Sequence, residues 1–326
     1  MTSFLRFLKN WTLPVAMLAG VAGYFIYASI PALRGTHSFV MHSIAVIQPA
    51  LIFAMLFITF CKTDPRTLRL RRWHGWLLLF QALSFAALSL LIILSGKSLP
   101  SGAQVIVEGA MLCLICPTAT AGAVVTAKLG GDAAGLTTYT ILINLTAATV
   151  IPVFVPLIHP HAGLGFLSSF LLIIGKVFPL LICPFLTALL VRRFLPGLQK
   201  IVLGCKDLAF YLWAVALSIA IAVTVRSIVH TEVAFVYQAG IAAISLLCCV
   251  LQFYLGRHIG RRYGSPIGGG QSLGQKNTVF AIWLGYTFLT PVTAIAGGFY
   301  SVWHNVFNSW QLYKQRMAEN TLPDKS

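Results

Sequence analysis

The sequence predicts an all-α polytopic membrane protein, and three observations carry that reading. Only 9% of the residues are charged while 58% are hydrophobic, whereas soluble domains carry roughly 25% charged residues. Apolar runs of about 20 residues, the length that crosses a bilayer core, recur along the whole chain. The 23 Lys and Arg fall almost entirely in the short segments between those runs. Ten spans consume so much of the 326 residues that residues 1–326 read as a single membrane domain with no room for a soluble one. Soluble enzymes and secreted scaffolds are excluded on these grounds.

The elements follow in order. The first apolar run covers residues 11–29, behind Arg6 and Lys9. It has the look of a signal peptide, with small residues between Ala28 and Ala32. Its length and the spans directly after it favour a retained first helix. The other spans read as 39–60, 76–96, 104–127, 135–157, 165–191, 205–225, 233–255, 268–289 and 292–313. Gly and Pro interrupt several of them, which membrane helices tolerate. Residues 314–326 read as a cytoplasmic tail.

The net charge of +16 invites a nucleic-acid reading, but no folded basic domain exists to present such a face. Its distribution is topological instead. With the amino terminus inside, eighteen basic residues are cytoplasmic: Arg6, Lys9, Lys62, Arg66, Arg69, Arg71, Arg72, Lys128, Arg192, Arg193, Lys200, Lys206, Arg257, Arg261, Arg262, Lys314, Arg316 and Lys325. Only Arg34, Lys97 and Arg226 fall outside, and Lys176 and Lys276 lie within spans. This positive-inside bias places both termini in the cytoplasm of a multi-pass inner-membrane protein. The seven cysteines lie mostly inside apolar runs, where Cys packs as a small hydrophobe. Cys113 and Cys116 have metal-ligand spacing, but no second pair completes a site.

A weak internal symmetry divides the spans into two five-helix repeats, 11–157 and 165–313. Because five is odd, the second repeat is inverted relative to the first. Each half has an abnormal penultimate span. The fourth holds Cys116-Pro117-Thr118-Ala119-Thr120-Ala121-Gly122; the ninth begins Gly268-Gly269-Gly270 and carries Gly274-Gln275-Lys276-Asn277-Thr278. Paired interrupted spans point to a transporter binding site.

Lys276 is the most informative polar residue. A charge at depth costs roughly 2.5–3.5 kcal/mol on insertion scales, so it faces a cavity, is paired, or snorkels to the interface. Gln275, Asn277 and Thr278 beside it favour a polar cavity. Lys176 lies deep in the sixth span without an acid one turn away, and it either cradles an anion or pairs across helices. Glu108 reads as interfacial, Asp132 and Asp207 as solvated. Gln81, Asn144, Thr137, Thr140 and Gln238 read as helix–helix hydrogen-bonding groups. His304 and Asn305 are adjacent and therefore face different sides of one helix. Enzyme motifs are absent: there is no zinc or phosphate-loop motif and no nucleophile flanked by a base.

These segments together resemble the bile acid:sodium symporter family. PVTAIAGGFYSVWHN, from Pro291 to Asn305, is similar to the family's last span. IFAMLFITFCKTDPRTLRL, from Ile52 to Leu70, resembles its second span and the basic loop after it. ICPTATAGAV, from Ile115 to Val124, and GQKNT, from Gly274 to Thr278, resemble the motifs of its fourth and ninth spans. Gln81 stands where sodium-coupled members carry a Gln. The resemblance runs nearly the whole chain in order, with SVWHN its most specific piece.

The resemblance implies ten transmembrane helices in two inverted repeats, a panel domain and a core domain, and broken fourth and ninth helices crossing at mid-membrane. It implies transport of organic anions such as bile acids, pantoate or keto acids, with no resident cofactor and no enzyme activity. Carried over by position, Thr118, Thr120, Gly122 and Asn277 lie around the crossing, and His304 and Asn305 lie in the core domain. The departures touch the sodium ligands. The family's Ser-Asn pair reads Gly122-Ala123, its Glu reads Ser272, and its Gln reads Lys276. The expected function is therefore an alternating-access carrier of an organic anion without sodium coupling, in which Lys276 replaces the sodium or carries a proton. The candidate site is Gln81, Thr118, Thr120, Gly122, Ser272, Gln275, Lys276, Asn277, Thr278, His304 and Asn305. The alternatives are a sodium symporter with a degenerate site and a transport-dead sensor or scaffold. The expected partners are the anion and the lipid bilayer; nothing in the sequence speaks to oligomeric state.

Overall fold

A computed structural model describes residues 12–160, 163–205 and 207–320. Fourteen α-helices account for most of them: α1 (Thr12–Ser29), α2 (His37–Lys62), α3 (Arg72–Ser95), α4 (Ser101–Ile115), α5 (Gly122–Lys128), α6 (Ala133–Ile158) and α7 (Phe166–Leu181). There follow α8 (Cys183–Phe194), α9 (Pro196–Gly204), α10 (Leu208–His230), α11 (Phe235–Arg261), α12 (Pro266–Gly274), α13 (Thr278–Phe288) and α14 (Ile295–Asn320). Among the described residues there is no strand, only one isolated backbone bridge between Thr118 and Lys276.

Helices α2, α3, α6, α10 and α11 are each 23–27 residues long with mean hydropathy of 2.0–2.5. At 1.5 Å per residue each is at least about 34 Å long, more than the ~30 Å of bilayer hydrocarbon. Helices α7 and α8 make a sixth candidate span, bent by 42°. Pro179 precedes the bend and Pro184 follows it. A proline lacks the N–H that the helix ladder needs and its ring displaces the preceding turn, which accounts for a kink here. The chain is thus an all-α, membrane-embedded protein. Large apolar side chains remain uncovered on its outer surface, Leu94 at 83% and Phe235 at 81% exposure. Water would penalise that surface; lipid does not.

The shorter apolar helices are the first helix, α4 and α13. The fourth and ninth expected spans are each split in two, with gaps at residues 116–121 and 275–277. The glycine run of the ninth span does not unwind it. Gly268 to Gly270 are helical within α12 and lie against α11. A Cβ on Gly269 would overlap the Gly256 carbonyl, and one on Gly256 would overlap the Gly269 carbonyl. These two glycines let the backbones touch, and the interruption comes after them. Two further differences concern segment ends: the residues between the sixth and seventh spans form α9, and the last helix continues through Asn320 over the start of the expected tail. Arg6, Lys9, Lys206 and Lys325 of the charge count lie outside the described residues.

Packing sets the arrangement around the two gaps. Helix α10 packs on α1 and α2, and α8 packs on α2; α11 packs on α12, α4 and α14, and α3 on α4 and α6. The main core joins Ile52 and Leu56 of α2, Ile173 and Val177 of α7, Ala216 and Ala220 of α10, and Phe280 of α13. A second core joins Phe253 of α11 to Cys113 of α4 and Tyr300 of α14.

Candidate functional site: two helix breaks that meet

The gap between α4 and α5 faces the gap between α12 and α13. Pro117 accounts for the first, since the ring removes a ladder donor and disfavours the helical region for Cys116. Cys116 there is non-helical, with ψ of 132°. Freed backbone groups in an apolar interior must find partners. They find each other. The Ala119 N–H donates to the Gln275 carbonyl at 2.9 Å, and the Asn277 N–H to the Pro117 carbonyl at 2.8 Å. The Thr118 hydroxyl donates to the Ser272 carbonyl at 2.7 Å, and the Cys116 thiol to the Asn277 carbonyl at 2.9 Å. The Asn277 side chain caps α13 by accepting from the Phe280 N–H at 3.2 Å.

Lys276 lies in this junction with 1% exposure. Its ammonium donates to the Leu114 carbonyl at 3.2 Å. Leu114 is in the last turn of α4, whose unpaired carbonyls form the negative end of the helix dipole, so the cation sits where the backbone favours it. Its electrostatic neighbours are the thiols of Cys113, Cys116, Cys248 and Cys249, and no carboxylate pairs with it among the described residues. The backbone N–H of Lys276 donates to Nδ1 of His304, at 3.3 Å.

Most of the expected site residues converge here. Gln81 reaches in from α3, donating to the Leu114 carbonyl at 2.6 Å and more weakly to that of Cys116 at 3.4 Å. Thr118, Ser272, Gln275, Asn277, Thr278 and His304 are all buried. Gly122 opens α5, and a Cβ there would press on Thr118 and Leu136 at 3.3 Å. Two buried oxygens, Ser272 Oγ and Gln275 Oε1, have no partner among the described residues. Thr120 and Asn305 stand apart from the junction's hydrogen bonds. Thr120 is half-buried on the turn before α5. The Asn305 side chain donates back to the Ser301 carbonyl of its own helix at 2.6 Å.

Other polar groups meet their expected roles or depart from them. Tyr139 of α6 donates to Gln81 Oε1, a partner the sequence did not single out. Gln252 of α11 donates to the Cys113 carbonyl at 3.2 Å and to the Tyr300 hydroxyl at 3.1 Å. Tyr300 in turn donates to the Gly274 carbonyl at 2.8 Å. Each break is therefore braced by a buried Gln joined to a buried Tyr. Glu108, expected at the membrane interface, is 1% exposed. It accepts from Gln104 at 2.8 Å and Thr293 at 2.7 Å and bonds His159 at 2.9 Å, tying α4 to the end of α6 and to the turn before α14. The sequence hid this because His159 and Thr293 are remote from Glu108 along the chain. Asp132 caps α6 through the Gly135 N–H and pairs with Arg71 at 3.1 Å. Lys176 is exposed, with its ammonium 5.7 Å from the centre of the Phe288 ring, so its partner is an aromatic face and not an acid.

Against known proteins, no family model matches the sequence, and no curated protein is significantly similar to it.

Proposed function

We propose that this chain is a secondary carrier that moves an organic anion by alternating access, without sodium coupling. The observation that carries the reading is the meeting of two interrupted apolar helices, backbone to backbone, around one buried ammonium. Interrupted backbone at membrane depth is costly unless it serves a cavity or a ligand. Two such interruptions in corresponding places are a transporter's signature. The N-terminus of α13 and the Lys276 cation at the junction both favour a carboxylate or sulfonate over a cation.

The ten-span, two-repeat arrangement belongs to the same proposal. Under it, α3 and α6 of the first repeat correspond to α11 and α14 of the second. The Gln81–Tyr139 and Gln252–Tyr300 pairs then occupy equivalent helices. The packing of α1 on α10 mirrors that of α8 on α2. We assign α1, α2, α7, α8 and α10 to a panel, and the remaining spans to a core that moves against it. The basic residues in the loops after α2 and α11 support a cytoplasmic side for both.

A second reading, a sodium symporter with a degenerate site, draws on Ser272 Oγ and Gln275 Oε1, the buried oxygens that no described group satisfies. One experiment separates the two. Proteoliposomes are loaded with purified protein and offered a labelled bile acid, pantoate and a keto acid in sodium and in choline buffers. Equal uptake in both buffers is the expected result. A sodium requirement supports the second reading, and no uptake of any organic anion by folded protein sinks both.

A further inference from the structure

Away from the crossing, a cavity of about 660 Å³ lies between α1, α2 and α10, within the range of about 300–1,000 Å³ typical of small-molecule sites. Chain direction sets its polarity. Helix α1 ends, α2 begins and α10 ends at the same mouth, so Tyr27, His37 and His230 stand near the opening, and Gly23, Ile44 and Val223 lie one to two turns deeper. From His37 to Ile44 the depth is about 10 Å at 1.5 Å per residue. The lower wall is apolar, with Val40 and Met41 beside Ile44.

One guanidinium sits on the upper wall. Arg226 donates from Nη2 to Nε2 of His37 at 3.1 Å and from Nη1 to the Tyr286 hydroxyl at 3.4 Å. Across the cavity Tyr24 and His230 bond one another at 2.9 Å. A guanidinium has five N–H donors, and no carboxylate pairs with this one among the described residues. A half-buried cation, uncompensated above an apolar well, has the complement of an amphipathic anion.

We propose that this cavity is a second binding site, for an amphipathic organic monoanion whose carboxylate or sulfonate rests on Arg226 beside His37 and whose compact apolar body lies along Val40, Met41 and Val223. Among the described residues the Arg226 guanidinium is the cation on this wall and matches one negative charge, and the depth matches a body of about 10 Å. An anionic lipid headgroup has the same chemistry, and the test separates the two sources. The proposal stands apart from the transport reading, because Gly23 and Arg226 lie outside the helix junction and binding is read without uptake.

The probe is biphenyl-4-carboxylate, titrated calorimetrically into the full chain in phosphatidylcholine nanodiscs. Saturable binding is expected, weakened by about ten-fold or more, or about 1.4 kcal/mol, when the neutral carboxamide replaces the acid. Arg226→Gln should weaken binding to the same extent. Gly23→Leu fills the cavity, since a Cβ at this position meets nothing within 4 Å, and should abolish binding while leaving the fold intact. Adding phosphatidylglycerol tells the sources apart: competition that Arg226→Gln relieves shows a lipid headgroup in the same site, and no competition shows a free amphiphile there. Absence of saturable binding, wild-type affinity in either variant, or equal affinity for acid and carboxamide overturns the proposal.

Discussion

At the scale of single residues, Lys276 decides how the junction holds together. A buried ammonium without a carboxylate is tolerable only where oriented dipoles replace the counter-ion, and the last turn of α4 supplies them through Leu114. In Lys276→Gln that carbonyl keeps an N–H donor but loses the positive charge. Uptake in choline should fall by about ten-fold or more, and sodium should restore part of it, because a mobile cation can then take the vacated place. Unchanged uptake in choline would reduce Lys276 to a packing role. His304 and Asn305 show how finely a residue's role is set. Neighbours on a helix point about 100° apart, so one reaches the junction backbone while the other bonds its own turn.

At the scale of elements, two different devices produce the ninth-span geometry. Gly256 and Gly269 bring α11 and α12 into backbone contact, and residues 275–277 then leave the helix to pair with the opposite break. Gly269→Ala must push the two helices apart, at a cost of about 1–3 kcal/mol, and should lower the thermal midpoint of the purified protein. Gly75→Ala in α3 meets nothing within 4 Å and should be neutral or stabilising by up to about 1 kcal/mol through helix propensity. Equal midpoints for the two variants would contradict the close-contact role of Gly269.

At the scale of the whole molecule, the charge distribution predicts which loops face which compartment. Cysteines introduced near Gly163 or His230 should react with an impermeant thiol reagent added to intact cells, and those near Arg69 or Arg262 should not. External labelling of the Arg69 loop would reverse the orientation and, with it, the side from which the Arg226 cavity fills. The proposed carrier also requires motion between panel and core, which belongs to this scale. The junction residues are buried, so under that proposal an anion reaches them only if the two bodies separate.

The sequence by itself determined that the chain lives in a membrane, is helical throughout, and is interrupted in its fourth span after Cys116 and in its ninth span between Gly268 and Thr278. Those follow from run length, charge scarcity and proline chemistry, which are local properties. It also singled out Lys276 and Gln81, because a charge or amide at depth must be accommodated wherever the helix packs. Only the tertiary structure decided what accommodates them. That Gln81 is held by Tyr139, that Gln252 and Tyr300 repeat the pairing, and that Glu108 is buried beneath His159 and Thr293 are facts of helix placement. So is the convergence of His37 and Arg226, 189 positions apart, on one cavity. Polar partners in an apolar interior are chosen by proximity in space, and a one-dimensional pattern holds the demand for a partner without the partner's address.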